Sequence, residues 1–250
     1  MAQISKIAQD VFEIWFPQFV TCYFCEEELP PDADMPLCLN CQSDIKWIEP
    51  PFCSVCGRTI EKLDTQYKDY FYKCKECQEQ FVYYERHRAI AHYDEGVKKG
   101  LMGLKYKKQK YQARYFAEKM AEMIRLDENL SNFDYIVPVP VHVIRKISRG
   151  YNQSELLANR MARVLGKKVI PDLLLRKMAT KKLKKLGRVS RKKMLEDAII
   201  VNKRKQALLK EKKILLVDDI YTTGATLNAC SRALYEAGCE KIICVTVARG

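Results

Sequence analysis

Residues 214–226, Ile-Leu-Leu-Val-Asp-Asp-Ile-Tyr-Thr-Thr-Gly-Ala-Thr, restrict the possible folds more than any other stretch of this chain. Four apolar residues, Ile214 to Val217, predict a strand buried on both faces, the pattern of a parallel sheet. Two acids, Asp218 and Asp219, stand at its carboxyl end, and a hydroxyl-rich turn of Thr222, Thr223, Gly224, Ala225 and Thr226 then opens a helix with Gly224 inside it. Open α/β sheets bind ligands at the carboxyl ends of their strands. A helix start with unpaired N–H groups and threonine hydroxyls suits a phosphate. The acids beside it can accept hydrogen bonds from sugar hydroxyls or help hold a magnesium-bound diol. The strand, acid pair and turn therefore predict a site for a sugar phosphate such as ribose 5-phosphate.

The cysteines set a second constraint. Eight of the eleven form four Cys-x-x-Cys pairs: Cys22/Cys25, Cys38/Cys41, Cys53/Cys56 and Cys74/Cys77. A two-residue gap lets one tight turn aim two thiolates at one metal ion. Two such knuckles close a tetrahedral zinc site. The intervals inside the two halves are 12 and 17 residues, suited to zinc ribbons. Two structural zinc ions are expected, with the knuckles paired in sequence order; spacing alone leaves crossed pairing open. Thiolate zinc sites need a reducing compartment, so the cytoplasm is the expected location. Cys230, Cys239 and Cys244 fall in apolar stretches and are expected in the core.

The remaining chain divides into three regions. In residues 1–19, Ile4, Ile7, Ala8, Val11, Phe12 and Trp15 recur at helical spacing and predict an amphipathic helix docked on the body. Asp10 and Glu13 within it argue against a signal peptide. Residues 20–82 hold the knuckles. Residues 83–250 alternate strands and helices, which predicts an α/β fold with a mainly parallel sheet covered on both faces. Expected strands are Arg86–Tyr93, Tyr135–Pro140, Lys168–Ile170, Ala198–Val201, Ile214–Asp219 and Ile242–Ala248. Expected helices are Asp94–Leu104, Tyr111–Arg125 and Asn152–Leu165, the last with Asn152 as cap and Glu155 placed for a capping box. No run of 18 apolar residues is present, so no membrane span is expected. The formal charge is +13. Eight thiolates (−8) and two zinc ions (+4) bring it to about +9, a balance that favours nucleic acid or a phosphate-rich ligand.

A second chemical segment runs Val-Pro-Val-Pro-Val-His (137–142) to Arg-Gly-Tyr-Asn-Gln (149–153). It is expected to set Arg145, Lys146 and Arg149 just beyond a strand end, where guanidinium groups can grip a pyrophosphate. His142 is expected to be structural. Four cysteine knuckles, Leu-Lys-Tyr (104–106), this segment and the 214–226 segment, in that order, resemble the ComF family of competence proteins, double zinc ribbon phosphoribosyltransferase-like proteins. The resemblance covers nearly the whole chain. It implies a type I phosphoribosyltransferase fold behind a zinc-binding domain. It also implies binding of phosphoribosyl pyrophosphate (PRPP) with magnesium. Asp218 and Asp219 would be the ribose-binding acids, Thr222 to Thr226 the phosphate loop, and Arg149 and Lys105 further PRPP contacts. The family's role in natural transformation implies incoming single-stranded DNA and a helicase as partners. In one stretch this chain departs from the family: Leu183 stands where a Gln is usual and Met194 where an Asn is, while Arg188 and Arg191 are retained.

That departing stretch is also the most basic. From Arg176 to Lys193, 10 of 18 residues are Lys or Arg and none is acidic. Lys181, Lys182, Lys184, Lys185, Arg188 and Arg191 could track a DNA backbone, or act as an electrostatic lid over bound pyrophosphate. Tyr106, Tyr111 and Tyr115 could add stacking beside a second basic segment that includes Lys110. Two functions stay open: a PRPP-binding, DNA-handling adaptor, and a transferase passing ribose 5-phosphate from PRPP to an acceptor. No segment reads as a nucleobase pocket and little sequence follows the last strand, so the adaptor is the expected function and no catalytic residue is assigned.

Overall fold

The computed structural model describes residues 20–60, 72–106, 111–177 and 198–250. The expected N-terminal helix and most of the 176–193 run lie outside them. Two short helices, α1 (Leu39–Ser43) and α2 (Lys75–Glu79), begin at the third and seventh knuckle cysteines. Then follow β1 (Arg86–His92), α3 (Glu95–Tyr106), α4 (Gln112–Leu126), α5 (Glu128–Ser131), β2 (Tyr135–Pro138), α6 (Val143–Arg149) and α7 (Gln153–Leu165). After these come β3 (Lys168–Val169), β4 (Leu174–Arg176), β5 (Ile199–Val201), a 3-10 helix (Lys203–Leu209), β6 (Lys213–Tyr221), α8 (Ala225–Glu236) and β7 (Lys241–Arg249).

Five strands form one sheet in the order β1-β7-β6-β2-β3, with every neighbouring pair parallel. The alternation of side chains along β6 and β7 sorts the core into two layers. Leu215, Val217, Ile243 and Val245 join Phe116 and Met120 of α4 and Leu157 and Met161 of α7. Ile214, Leu216, Ile242 and Cys244 join Leu227 and Leu234 of α8 on the other face. Each fully buried Leu, Ile or Phe here contributes roughly 1.5–3 kcal/mol over an exposed one. Cys230, Cys239 and Cys244 are buried in this second layer.

The two cysteine-rich lobes sit on opposite layers. Cys22, Phe24, Leu37 and Cys41 belong to the α4 side, where Phe24 meets Tyr115 at 6.0 Å and Phe116 at 5.5 Å between ring centroids. Cys53, Cys56 and Cys74 belong to the α8 side. The chain between the lobes runs antiparallel beside β1: Ile48 N–H donates to Ile90 O at 3.0 Å, and His92 N–H donates to Lys46 O at 2.8 Å. That crossing covers part of the sheet's outer edge, whose backbone groups would otherwise be open to another chain.

Several expectations need correction. Ala198–Val201 is not a strand of the main sheet. Ile199–Val201 pairs antiparallel with Leu174–Arg176 in a separate two-stranded ribbon, because the chain turns back after the basic run instead of crossing over. The strand carrying the acids does not stop at Asp219; pairing with β7 continues through Tyr221↔Arg249. Beyond the end of β2, Lys146 and Arg149 lie on a seven-residue helix that the sequence did not announce: the Nδ1 of His142 accepts from Ile144 N at 3.2 Å and caps it.

Candidate functional site

The acid pair and the turn after it lie together at the carboxyl end of the sheet, on a strand with neighbours on both sides. Asp218 and Asp219 are half-buried. Asp218 Oδ1 accepts from Asp219 N–H at 2.9 Å and from Ser154 Oγ at 2.8 Å. Thr222 and Thr223 are exposed, while Gly224, at φ 74°, is the N-cap of α8, so the helix begins at Ala225 within the turn. Asn228 N–H bonds back to Gly224 O at 2.8 Å. The amides ahead of it, from Ala225 to Leu227, have no carbonyl one turn earlier to bond, as at any helix start. Thr223 Oγ1 stands 3.5 Å from Ala225 N. Together these groups form an anion-binding N-terminus beside two carboxylates.

Three of the sequence segments are stitched together here by hydrogen bonds. Tyr151 Oη donates to Leu104 O, tying Arg-Gly-Tyr-Asn-Gln to Leu-Lys-Tyr. Asn152 Nδ2 donates to Val139 O at 3.0 Å, while its Oδ1 accepts from Ser154 N and caps α7. Ser154 then reaches Asp218. The expected capping box is not closed on its acid side; Glu155 turns its carboxylate to Lys146 Nζ at 3.3 Å. Gln153 Nε2 is buried without a hydrogen-bond partner among the described residues. Arg149 ends α6 just ahead of Gly150, which takes the left-handed conformation at φ 81°. Lys105 is in the last turn of α3. The side chains of Lys105 and Arg145, and all of Lys181, Lys182, Lys184, Lys185, Arg188, Arg191, Leu183 and Met194, lie outside the described residues.

The eight knuckle cysteines form two groups. Within each, Cys22/Cys25/Cys38/Cys41 and Cys53/Cys56/Cys74/Cys77, all sulfurs lie within 4.8 Å of one another. The knuckles therefore pair in sequence order. A tetrahedron with Zn–S bonds near 2.3 Å separates its sulfurs by about 3.8 Å. Cys25 and Cys38 sulfurs are 3.6 Å apart, and those of Cys56 and Cys74 are 3.7 Å apart. Cys74 N–H points at Cys53 Sγ at 3.3 Å, a donor that stabilises thiolate. Both donor sets fit zinc. The lobes also repeat each other: bridges Thr21↔Glu28 and Phe52↔Thr59 bracket the first knuckle of each.

Sequence reasoning missed a polar cluster between the second cysteine group and the phosphate-loop candidate. His87 is fully buried, and burial drives its pKa down to about 3, so the ring is neutral. The carbonyl of Cys56, 2.9 Å from Nδ1, can only accept, so Nδ1 carries the proton. Nε2 lies 3.0 Å from Thr246 Oγ1, whose one proton is also within reach of Ala248 O at 3.0 Å. Arg249 Nε donates to the same Cys56 carbonyl at 3.1 Å. Tyr84 and Tyr221 share a hydroxyl–hydroxyl bond of 3.1 Å; burial pushes Tyr221 up to about 12 and Tyr84 further in the same direction, so both stay protonated. None of these residues falls at a spacing that marks a site.

Residues 111–250 match the phosphoribosyl transferase domain family, and residues 11–78 match the double zinc ribbon domain. Competence protein F of Haemophilus influenzae is 30% identical over 209 residues, covering 82% of this chain and 87% of its own length. Competence protein ComFC of Streptococcus pneumoniae is 29% identical over 209 residues, covering 84% and 86%. ComFC of Bacillus subtilis is 24% identical over 233 residues, covering 87% and 89%. No helix among the described residues is long and apolar enough to cross a membrane.

Proposed function

Since this chain belongs to the ComF/ComFC family of competence proteins, a phosphoribosyltransferase-type domain behind a double zinc ribbon, we propose that it binds magnesium–PRPP and handles single-stranded DNA during natural transformation. One observation carries the PRPP reading: Asp218 and Asp219 lie near the carboxyl end of a central parallel strand, whose last residue Tyr221 leads directly into the turn that opens α8. The amides of Ala225 to Leu227 and the hydroxyls of Thr222, Thr223 and Thr226 would take the 5-phosphate. Asp218 and Asp219 would accept from the ribose hydroxyls. Magnesium, when bound with PRPP, neutralises part of the pyrophosphate charge, and Arg149 and Lys105 would supply the rest from the neighbouring segments. Two zinc ions would hold the ribbons, and the cytoplasm would keep their thiolates reduced. The DNA role and a helicase partner draw support from the family's competence proteins and from the basic run.

Calorimetry with magnesium–PRPP tests the reading. Wild type should bind. Asp218→Ala combined with Asp219→Ala should abolish binding while the sheet stays folded. Thr223→Val should cost roughly 1–3 kcal/mol, the value of one bond to a charged group. Equal affinity of wild type and double mutant would move the site elsewhere. The same loop would also serve a transferase, in which PRPP loses pyrophosphate to an acceptor. Pyrophosphate release with nucleobases, nucleotides or single-stranded DNA present would favour that second reading.

A further inference from the structure

Tyr221 occupies the junction between the second cysteine group and the phosphate-loop candidate. It is the last residue of β6, and Thr222 follows it directly. Its ring is buried under Gly224: a Cβ added to Gly224 would lie 2.7 Å from Tyr221 Cζ. The ring thus fills the space that a side chain at 224 would need, and the left-handed backbone of Gly224 packed on it leads into the first amides of α8.

Three residues hold the ring. His87 stacks on it at 4.3 Å between centroids with a 30° tilt. The Arg249 guanidinium lies 5.0 Å from its centroid. Tyr84 takes its hydroxyl at 3.1 Å. Two of the three are fixed by one ribbon residue. Cys56 O accepts from His87 Nδ1 and from Arg249 Nε, and Arg249 Nη2 stands 3.6 Å from Cys56 Sγ. The knuckle is also anchored at Val55, whose carbonyl accepts from His87 N–H at 2.6 Å. Gly57, at φ 68°, lets the knuckle close on this strand, since a Cβ there would sit 2.8 Å from His87 O. The first cysteine group belongs to the opposite layer of the sheet, with Phe24 on α4.

We infer that the Cys53/Cys56/Cys74/Cys77 group positions the phosphate loop through Tyr221, so that metal in this group and PRPP at the loop stabilise each other. The PRPP half rests on the function proposed above. A four-thiolate knuckle lacks enough apolar area to hold its shape without metal. When it opens, His87 and Arg249 lose the Cys56 carbonyl, the ring loses two of its supports, and the loop amides lose their fixed direction. Binding linkage is reciprocal, so PRPP must then retain the metal.

Two measurements on the full-length, zinc-loaded chain test this. The first is hydrogen–deuterium exchange at residues 222–227 without ligand. Tyr221→Leu and Cys53→Ser should each speed exchange by about tenfold, within the usual range for coupled sites, and Cys22→Ser should leave it near the wild-type rate. The second is release of zinc to a chelator with and without magnesium–PRPP. PRPP should slow one of two release phases in wild type and neither in Tyr221→Leu. Wild-type exchange in both Tyr221→Leu and Cys53→Ser overturns the positioning role. Release rates indifferent to PRPP, in protein that calorimetry shows to bind it, overturn the linkage. If wild type binds no PRPP, the linkage falls with the proposed function, while the exchange result alone still decides whether the ribbon sets the loop.

Discussion

Ser154 Oγ donates to Asp218 Oδ1 at 2.8 Å, joining the first turn of α7 to the carboxyl end of the central strand. The two residues are 64 apart in sequence. The bond fixes one carboxylate of the acid pair and leaves its orientation in the hands of the segment that Asn152 caps. Ser154 is buried, so its hydroxyl has no water to exchange with.

Ser154→Ala should therefore cost about 1.5–3 kcal/mol of stability, the range for a hydrogen bond to a charged group. It should also weaken magnesium–PRPP binding, because Asp218 is no longer held in one orientation. Ser154→Thr should recover part of both effects. Denaturant unfolding and calorimetry on the three proteins provide the check; an alanine variant equal to wild type in both would mean that the bond is not formed in solution.

Zinc loss should be local and separable. The cysteine groups sit in different core layers, so removing one ligand should open one lobe and spare the other. Wild type purified without added zinc should carry two ions per chain, and Cys22→Ser or Cys56→Ser one each. Metal analysis paired with limited proteolysis reads this directly. Metal-free wild type with its knuckles in disulfides would rule it out.

The apolar run 214–217, the acid pair, the turn and the four knuckles were legible because each is a local pattern with its own period or spacing. The end of β6 was not, since Ile220 and Tyr221 stay in the sheet through pairing with Ala248 and Arg249, which no local signal announces. The helix Val143–Arg149 was not announced by the sequence, because its Ile144 and Ile147 are exposed and mark no apolar face at helical spacing. Residues 198–201 read as a sheet strand because a four-residue apolar run carries no information on its partner. Ser154, His87 and Arg249 were invisible for the same reason: their roles come from contacts across 31 to 193 residues.

Acid should destabilise the fold through His87. Its folded pKa, about 3, lies below the usual 6.5 of a free histidine. The unfolded chain therefore takes up the proton first. The stability tied to the neutral ring is complete above pH 6.5 and is lost as pH falls from there towards 3. The slope approaches about 1.4 kcal/mol per pH unit in that window. Urea unfolding at pH 7 and pH 5 should show a steeper loss for wild type than for His87→Gln, which has no proton to gain. Parallel losses would remove His87 as the cause.

Arg176 and Lys177 open the basic run at the end of β4. Lys177 N–H donates to Ala198 O at 2.8 Å, extending the β4–β5 pairing by one bond. That stem packs on the helix the phosphate loop opens: Leu174 and Ile199 share an apolar cluster with Leu227 and Cys230 of α8. Charges carried on such a stem would start close to bound PRPP. If the run tracks single-stranded DNA, each phosphate it neutralises releases counterions and steepens the salt dependence by about 0.7 per contact. Replacing Lys181, Lys182, Lys184 and Lys185 with Ala should then weaken DNA binding and flatten the log–log salt slope by up to about 3. PRPP, drawing on Arg188 or Arg191, should compete, and the competition should be mutual. Fluorescence anisotropy with labelled single-stranded DNA, across a salt series and with or without saturating magnesium–PRPP, measures both. A quadruple variant that keeps wild-type affinity and slope would make the run an electrostatic lid and send the DNA surface to the ribbons or to the segment around Tyr111.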